Sequence, residues 1–107
     1  MSKERLHRLL QFLKNSPGDS FLTFAVAKEY ESAGDEEQAL VYYRRLVEQD
    51  PAYVGTYYHL GKLYERRRQY AAARQAYERG MEAAKQAGDR HALSELAGAQ
   101  LGLEEEE

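Results

Sequence analysis

The chain has 107 residues, 43% of them hydrophobic and 31% charged, with a formal net charge of −3. That size and mix suit one folded domain, and the slightly acidic balance excludes a global pull towards nucleic acid or anionic lipid. Cysteine is absent, which removes disulfides and thiolate metal sites. No apolar run approaches the roughly 20 residues of a membrane span, and no signal-peptide core opens the chain, so a cytoplasmic protein is expected.

Ser2 to Lys14 sets Leu6, Leu9, Leu10 and Leu13 on one helical stripe, with Phe12 at its edge. Asn15-Ser16-Pro17-Gly18 ends that helix. Its apolar stripe suits a cover for the next helix, and a membrane-surface helix is the rival reading. Asp19 or Ser20 caps a second helix that runs to about Ser32, with Gly34 as its C′ residue. Asp35 and Gln38 form a capping-box variant at the head of a third helix, through Ala39, Leu40, Tyr43 and Leu46 to Glu48. Glu36 and Glu37 fall in its first turn, where the helix dipole favours carboxylates. Asp50-Pro51 stops it. A fourth helix runs from near Tyr53 to Arg66–Arg68, and a fifth from Tyr70 to about Gln86. Ala87-Gly88 ends the fifth, and Asp89 caps a sixth carrying Leu93, Leu96, Ala97, Leu101 and Leu103. The acidic end, Glu104 to Glu107, is expected to fray.

A size pattern recurs along this all-α chain. Tyr57, Leu60, Gly61, Tyr64, Ala73 and Tyr77 stand 34 residues after Thr23, Val26, Ala27, Tyr30, Ala39 and Tyr43, and Pro51 stands 34 after Pro17. This period and pattern of large and small residues resemble the tetratricopeptide repeat, a helix-turn-helix unit. The resemblance implies a short right-handed α-solenoid of antiparallel helix pairs, about six helices in all. A single TPR-like domain is expected over 1–107. Within it, 1–16 is a capping half repeat, 20–53 and 54–87 are full repeats, 89–103 is a closing helix and 104–107 an acidic tail. Gly80 matches a small-residue position of the family, whereas Leu46 departs from it. Lys85 replaces the consensus proline, which predicts a longer fifth helix.

The family binds peptides and proteins along a concave surface lined by the first helix of each repeat. The resemblance places Phe24, Lys28 and Glu31 on that surface in one repeat, and Tyr58, Lys62 and Glu65 in the next. The Lys–Glu pairs at i, i+3 are equally readable as a solvated helix face. Phe24 and Tyr58 suit anchors at an interface, or a flanking helix covers them. The lysines suit a protein or peptide partner of acidic character. The family's carboxylate clamp is not matched, because Phe24, Lys28 and His59 stand where it requires Lys, Asn and Asn.

Arg66-Arg67-Arg68 reads as helix-end charge, so neither a nucleic-acid nor a membrane partner is expected. His91 and Glu95 have the i, i+4 spacing of a metal pair but no second pair to complete it. Nucleophile, P-loop and dinucleotide motifs are absent. The expectation is a non-catalytic interaction module without metal or cofactor. Self-association of the terminal helices into a homodimer is the alternative, and a metal-dependent enzyme the remote one.

Overall fold

The computed structural model describes residues 2–106; Met1 and Glu107 lie outside the described residues, as do the side chains of Ser2 and Glu106. Six helices follow one another: α1 (Ser2–Asn15), α2 (Ser20–Ser32), α3 (Glu36–Gln49), α4 (Gly55–Arg66), α5 (Tyr70–Ala87) and α6 (Arg90–Glu106). No strand occurs among the described residues. The fifth helix, freed of the consensus proline, runs for 18 residues. The acidic end differs from expectation. Glu104 to Glu106 stay helical, carried by Leu103, which is fully buried one residue before them. The fraying expected at Glu107 lies outside the described residues.

The chain divides into two compact units, residues 1–50 and 51–107. In the first, α1 packs on α2 and α2 on α3. Its core is Leu13, Val26, Ala27, Ala39, Leu40, Tyr43, Leu46 and Val47. Two side-chain bonds fix the ends of the hairpin. Asp19 Oδ1 accepts from the Leu22 N–H at 3.0 Å and caps α2, and Ser20 Oγ donates to Asp50 Oδ2 at 2.6 Å, joining the start of α2 to the end of α3.

In the second unit α5 packs against both α4 and α6, and α6 also touches α4. Its core is Tyr57, Leu60, Leu63, Tyr64, Ala73, Ala76, Tyr77, Ala84, Leu96, Ala99 and Leu103. Two glycines set the spacing of its helices. A Cβ on Gly61 would overlap the ring of Tyr77, and one on Gly80 would lie 2.5 Å from Tyr57 Cβ. Neither position tolerates a side chain without moving buried neighbours. Tyr57 also reaches back to its own entry loop, donating from its hydroxyl to the Pro51 carbonyl at 2.5 Å.

Three helix ends share one turn. After α2, Gly34 N–H donates to Glu31 O at 3.0 Å and Asp35 N–H to Tyr30 O at 2.9 Å. After α4, Arg68 N–H donates to Glu65 O and Gln69 N–H to Tyr64 O, both at 2.9 Å. After α5, Gly88 N–H donates to Lys85 O at 3.1 Å and Asp89 N–H to Ala84 O at 2.9 Å. This paired pattern closes a helix through a left-handed residue. That residue is glycine at 34 and 88, with φ of 82° and 70°, but arginine at 68, with φ of 60°. The following residue caps the next helix where it is aspartate: Asp35 accepts from Gln38 N–H and Asp89 from Ala92 N–H. Gln69 makes no such cap. The middle turn therefore carries both a strained residue and an uncapped helix.

Replacing Arg68 by Gly and Gln69 by Asp should relieve both. Each change is expected to raise unfolding free energy by about 1 kcal/mol, measured by denaturant titration.

Candidate partner-binding site

The residues that the family resemblance assigns to a binding face occupy two helices, and each set is held by its own unit. On α2, Phe24, Lys28 and Glu31 follow i, i+4, i+7 spacing and share one stripe. All three are half-buried. The Phe24 ring meets Tyr43 of α3 edge-on, with centroids 6.2 Å apart. Phe24 is thus seated on the core by one edge rather than hidden in it.

Glu31 is tied inward. Tyr43 Oη donates to Glu31 Oε1 at 2.6 Å. The Tyr43 ring is fully buried, so the carboxylate receives its hydroxyl beneath the surface.

The second unit repeats this arrangement on α4. Tyr58, Lys62 and Glu65 have the same spacing and are again half-buried. Tyr77 of α5 donates its hydroxyl to Glu65 Oε2. Burial, then this bond to a carboxylate, pushes the Tyr77 phenol well above its ordinary 10.0. Lys62 stands in the middle of the stripe. Its Nζ lies 3.9 Å from Glu65 Oε2 and 5.7 Å from the centre of the Tyr58 ring. The ammonium therefore bridges a carboxylate and an aromatic face. Tyr58 also meets His59 edge-on at 5.7 Å.

Beside Tyr58 a cleft of about 330 Å³ opens between the N-terminal halves of α4 and α6. Val54, Ala92 and the buried Leu96 supply its apolar lining, with Tyr58 and His59 on the α4 side. His91 and Glu95, the pair with metal-ligand spacing, stand at this cleft 3.9 Å apart, and their side chains are 89% and 52% exposed. Among the described residues no group of three or more His, Asp or Glu is arranged to hold a metal. No described helix is long and apolar enough to cross a membrane.

The hydroxyl–carboxylate tie was not anticipated from the sequence, which set Tyr43 and Tyr77 among the recurring large residues and the two glutamates on a binding or solvated helix face. A signal was present. Glu31 precedes Tyr43 by 12 residues and Glu65 precedes Tyr77 by 12, so the pair recurs with the repeat. The cleft was missed because it forms only where α6 meets α4, two helices apart in the chain.

The tetratricopeptide-repeat profile matches residues 31–103. The chain belongs to the tetratricopeptide-repeat family. A TPR repeat-containing protein of Pseudomonas aeruginosa is 38% identical over 88 residues, covering 82% of this chain and 84% of that protein. The crystal structure of a tetratricopeptide repeat domain protein from Salinibacter ruber is 45% identical, with a TM-score of 0.80 over 83% of this chain and 99% of that one. The TPR2B domain of yeast Sti1, solved as a complex with pHsp70, superposes with a TM-score of 0.91 over 99% of this chain and 85% of that one, at 13% identity. This last likeness is one of fold. The all-α tetratricopeptide-repeat fold inferred from the 34-residue period is thereby established.

The tie between Tyr77 and Glu65 has a pH signature. The folded chain holds the Tyr77 proton more tightly than the unfolded chain does, so the contribution of Tyr77 to stability is constant below about pH 10 and falls as pH rises beyond it. Tyr30, whose phenol is also raised by burial and by the neighbouring Tyr42 and Asp35, adds to the same fall. Tyr77→Phe should cost about 1–2 kcal/mol at neutral pH and make the alkaline decline shallower, read from unfolding midpoints between neutral and strongly alkaline buffers.

Proposed function

We propose that this tetratricopeptide-repeat chain is a non-catalytic interaction module that docks a segment of a partner protein on its first-helix stripes. The observation that supports this most is the cleft beside Tyr58. It offers an apolar floor, an aromatic wall and an ammonium on the adjoining turn of α4. Such a site suits an aromatic or bulky apolar side chain of the partner, with a carboxylate nearby to meet Lys62. Phe24 and Lys28 present the same chemistry on α2. Glu31 and Glu65 contribute by holding the stripe to the core rather than by contacting the guest. The lysines act chiefly on encounter rate and on choice of partner.

The Sti1 domain, an all-α relative by fold, was solved with pHsp70, which is in keeping with a peptide-docking role for this architecture. The partner here differs in kind from one held by a carboxylate clamp, since Phe24, Lys28 and His59 replace its residues.

Peptides selected from a random display library against the wild-type chain should carry an aromatic residue close to a carboxylate. Titrated by fluorescence anisotropy, they should bind the Tyr58→Ala, Lys62→Ala double variant about tenfold more weakly. Equal affinities for the two proteins would remove this face as the docking site.

A further inference from the structure

Two exposed apolar side chains stand on the outward faces of α1 and α6. Phe12 is 58% exposed and Leu101 64%. Each has charge beside it, of opposite sign. On α1, Arg8 lies four residues before Phe12 and is exposed, while Arg5 on the same stripe pairs with Glu29 of α2 at 3.3 Å. On α6, Glu105 lies four residues after Leu101 and is exposed, with Glu104 beside it.

The order of these pairs is reversed between the two helices. Four residues of helix span about 6 Å on either one. Laid antiparallel, with Phe12 against Leu101, the helices bring Arg8 opposite Glu105. The next turn of α6 in the other direction carries Ala97 and Gly98, so little side-chain bulk blocks the approach. A Cβ on Gly98 would meet nothing within 4 Å, so packing inside the chain does not require glycine there. A glycine in mid-helix weakens the helix, and close docking of a second helix is a physical reason to hold one.

We infer that α6 of one copy docks antiparallel on α1 of a second copy, through Phe12 on Leu101 and Arg8 on Glu105. The contact is head-to-tail, joining two different surfaces. It is therefore distinct from a symmetric pairing of like helices. It uses none of the residues of the proposed partner-binding face, so the two readings stand or fall separately. Charge favours this occupant: antiparallel pairing of like helices sets Arg8 against Ser16 or Glu105 against Ala97 and gains no ion pair, while α1 on α6 gains Arg8 with Glu105.

Sedimentation velocity over a range of concentrations tests this with the full chain. The wild type should show reversible, concentration-dependent association that weakens at high salt. Phe12→Asp and Leu101→Asp should each be monomeric alone, and circular dichroism should show both still helical, since both positions are exposed. Mixed one to one, they should form a heterodimer that does not grow, because each retains one intact face. Arg8→Glu and Glu105→Arg should each weaken association about two- to fivefold, and combining both in one chain should restore it. A wild type monomeric at every concentration overturns the inference. So does self-association that survives in either single Asp variant, or a mixture of the two that stays monomeric.

Discussion

Each hairpin of this chain depends on bringing two helices close enough for a buried tyrosine to cross the contact and show its hydroxyl on the far side. Tyr43 and Tyr77 are both fully buried, yet each ends on a carboxylate of the opposite helix, Glu31 and Glu65. In the second unit the crossing is possible because Gly61 leaves room for the Tyr77 ring. The ring supplies the apolar contact area, and the hydroxyl finds an acceptor on the opposite helix. One side chain thus does two jobs. It fills the space between the helices, and it draws inward the last residue of the stripe on which a partner is proposed to dock. Phe24 leans on Tyr43, and Lys62 sits between Glu65 and Tyr58, beside that tie.

The two repeats reach similar packing with different residues. In the second, Tyr57 lies against Gly80. At the corresponding positions of the first stand Thr23 and Leu46, both fully buried. Bulk has moved from one helix of the hairpin to the other, which keeps the total volume roughly constant, the kind of exchange that cores accept most readily. The polar ends adapt as well. Thr23 turns its hydroxyl back to the Asp19 carbonyl at 2.9 Å, whereas Tyr57 sends its own to Pro51. Leu46, a departure from the family pattern, is therefore matched by a smaller residue on the facing helix.

Much of the architecture was readable from side-chain size and helix punctuation alone. The period of 34 exposed the repeats, and Asp19, Asp35 and Asp89 marked helix starts that the structure shows to be capped by those carboxylates. Those are local signals, and local chemistry determines them. What escaped is what needs two helices at once. The inward pull on Glu31 and Glu65 comes from residues 12 positions away, so the helix-face pattern showed only acidic groups at the end of a stripe. The left-handed Arg68 was invisible for a different reason: the turn at 68–69 is imposed by the packing of α4 and α5, against the preference of its own residues. The helical acidic end follows from burial of Leu103, which charge alone does not reveal. The cleft beside Tyr58 needed the placement of α6 against α4.

The tie between core and face can be weighed directly by a double-mutant cycle on Tyr77→Phe and Glu65→Ala, with unfolding free energies of the wild type, both single variants and the double variant. A coupling of about 1–2 kcal/mol, with the double variant losing little beyond the worse single one, is the result this account predicts. Additive losses with no coupling would contradict it, leaving Glu65 an ordinary surface carboxylate and Tyr77 a wedge held by packing alone.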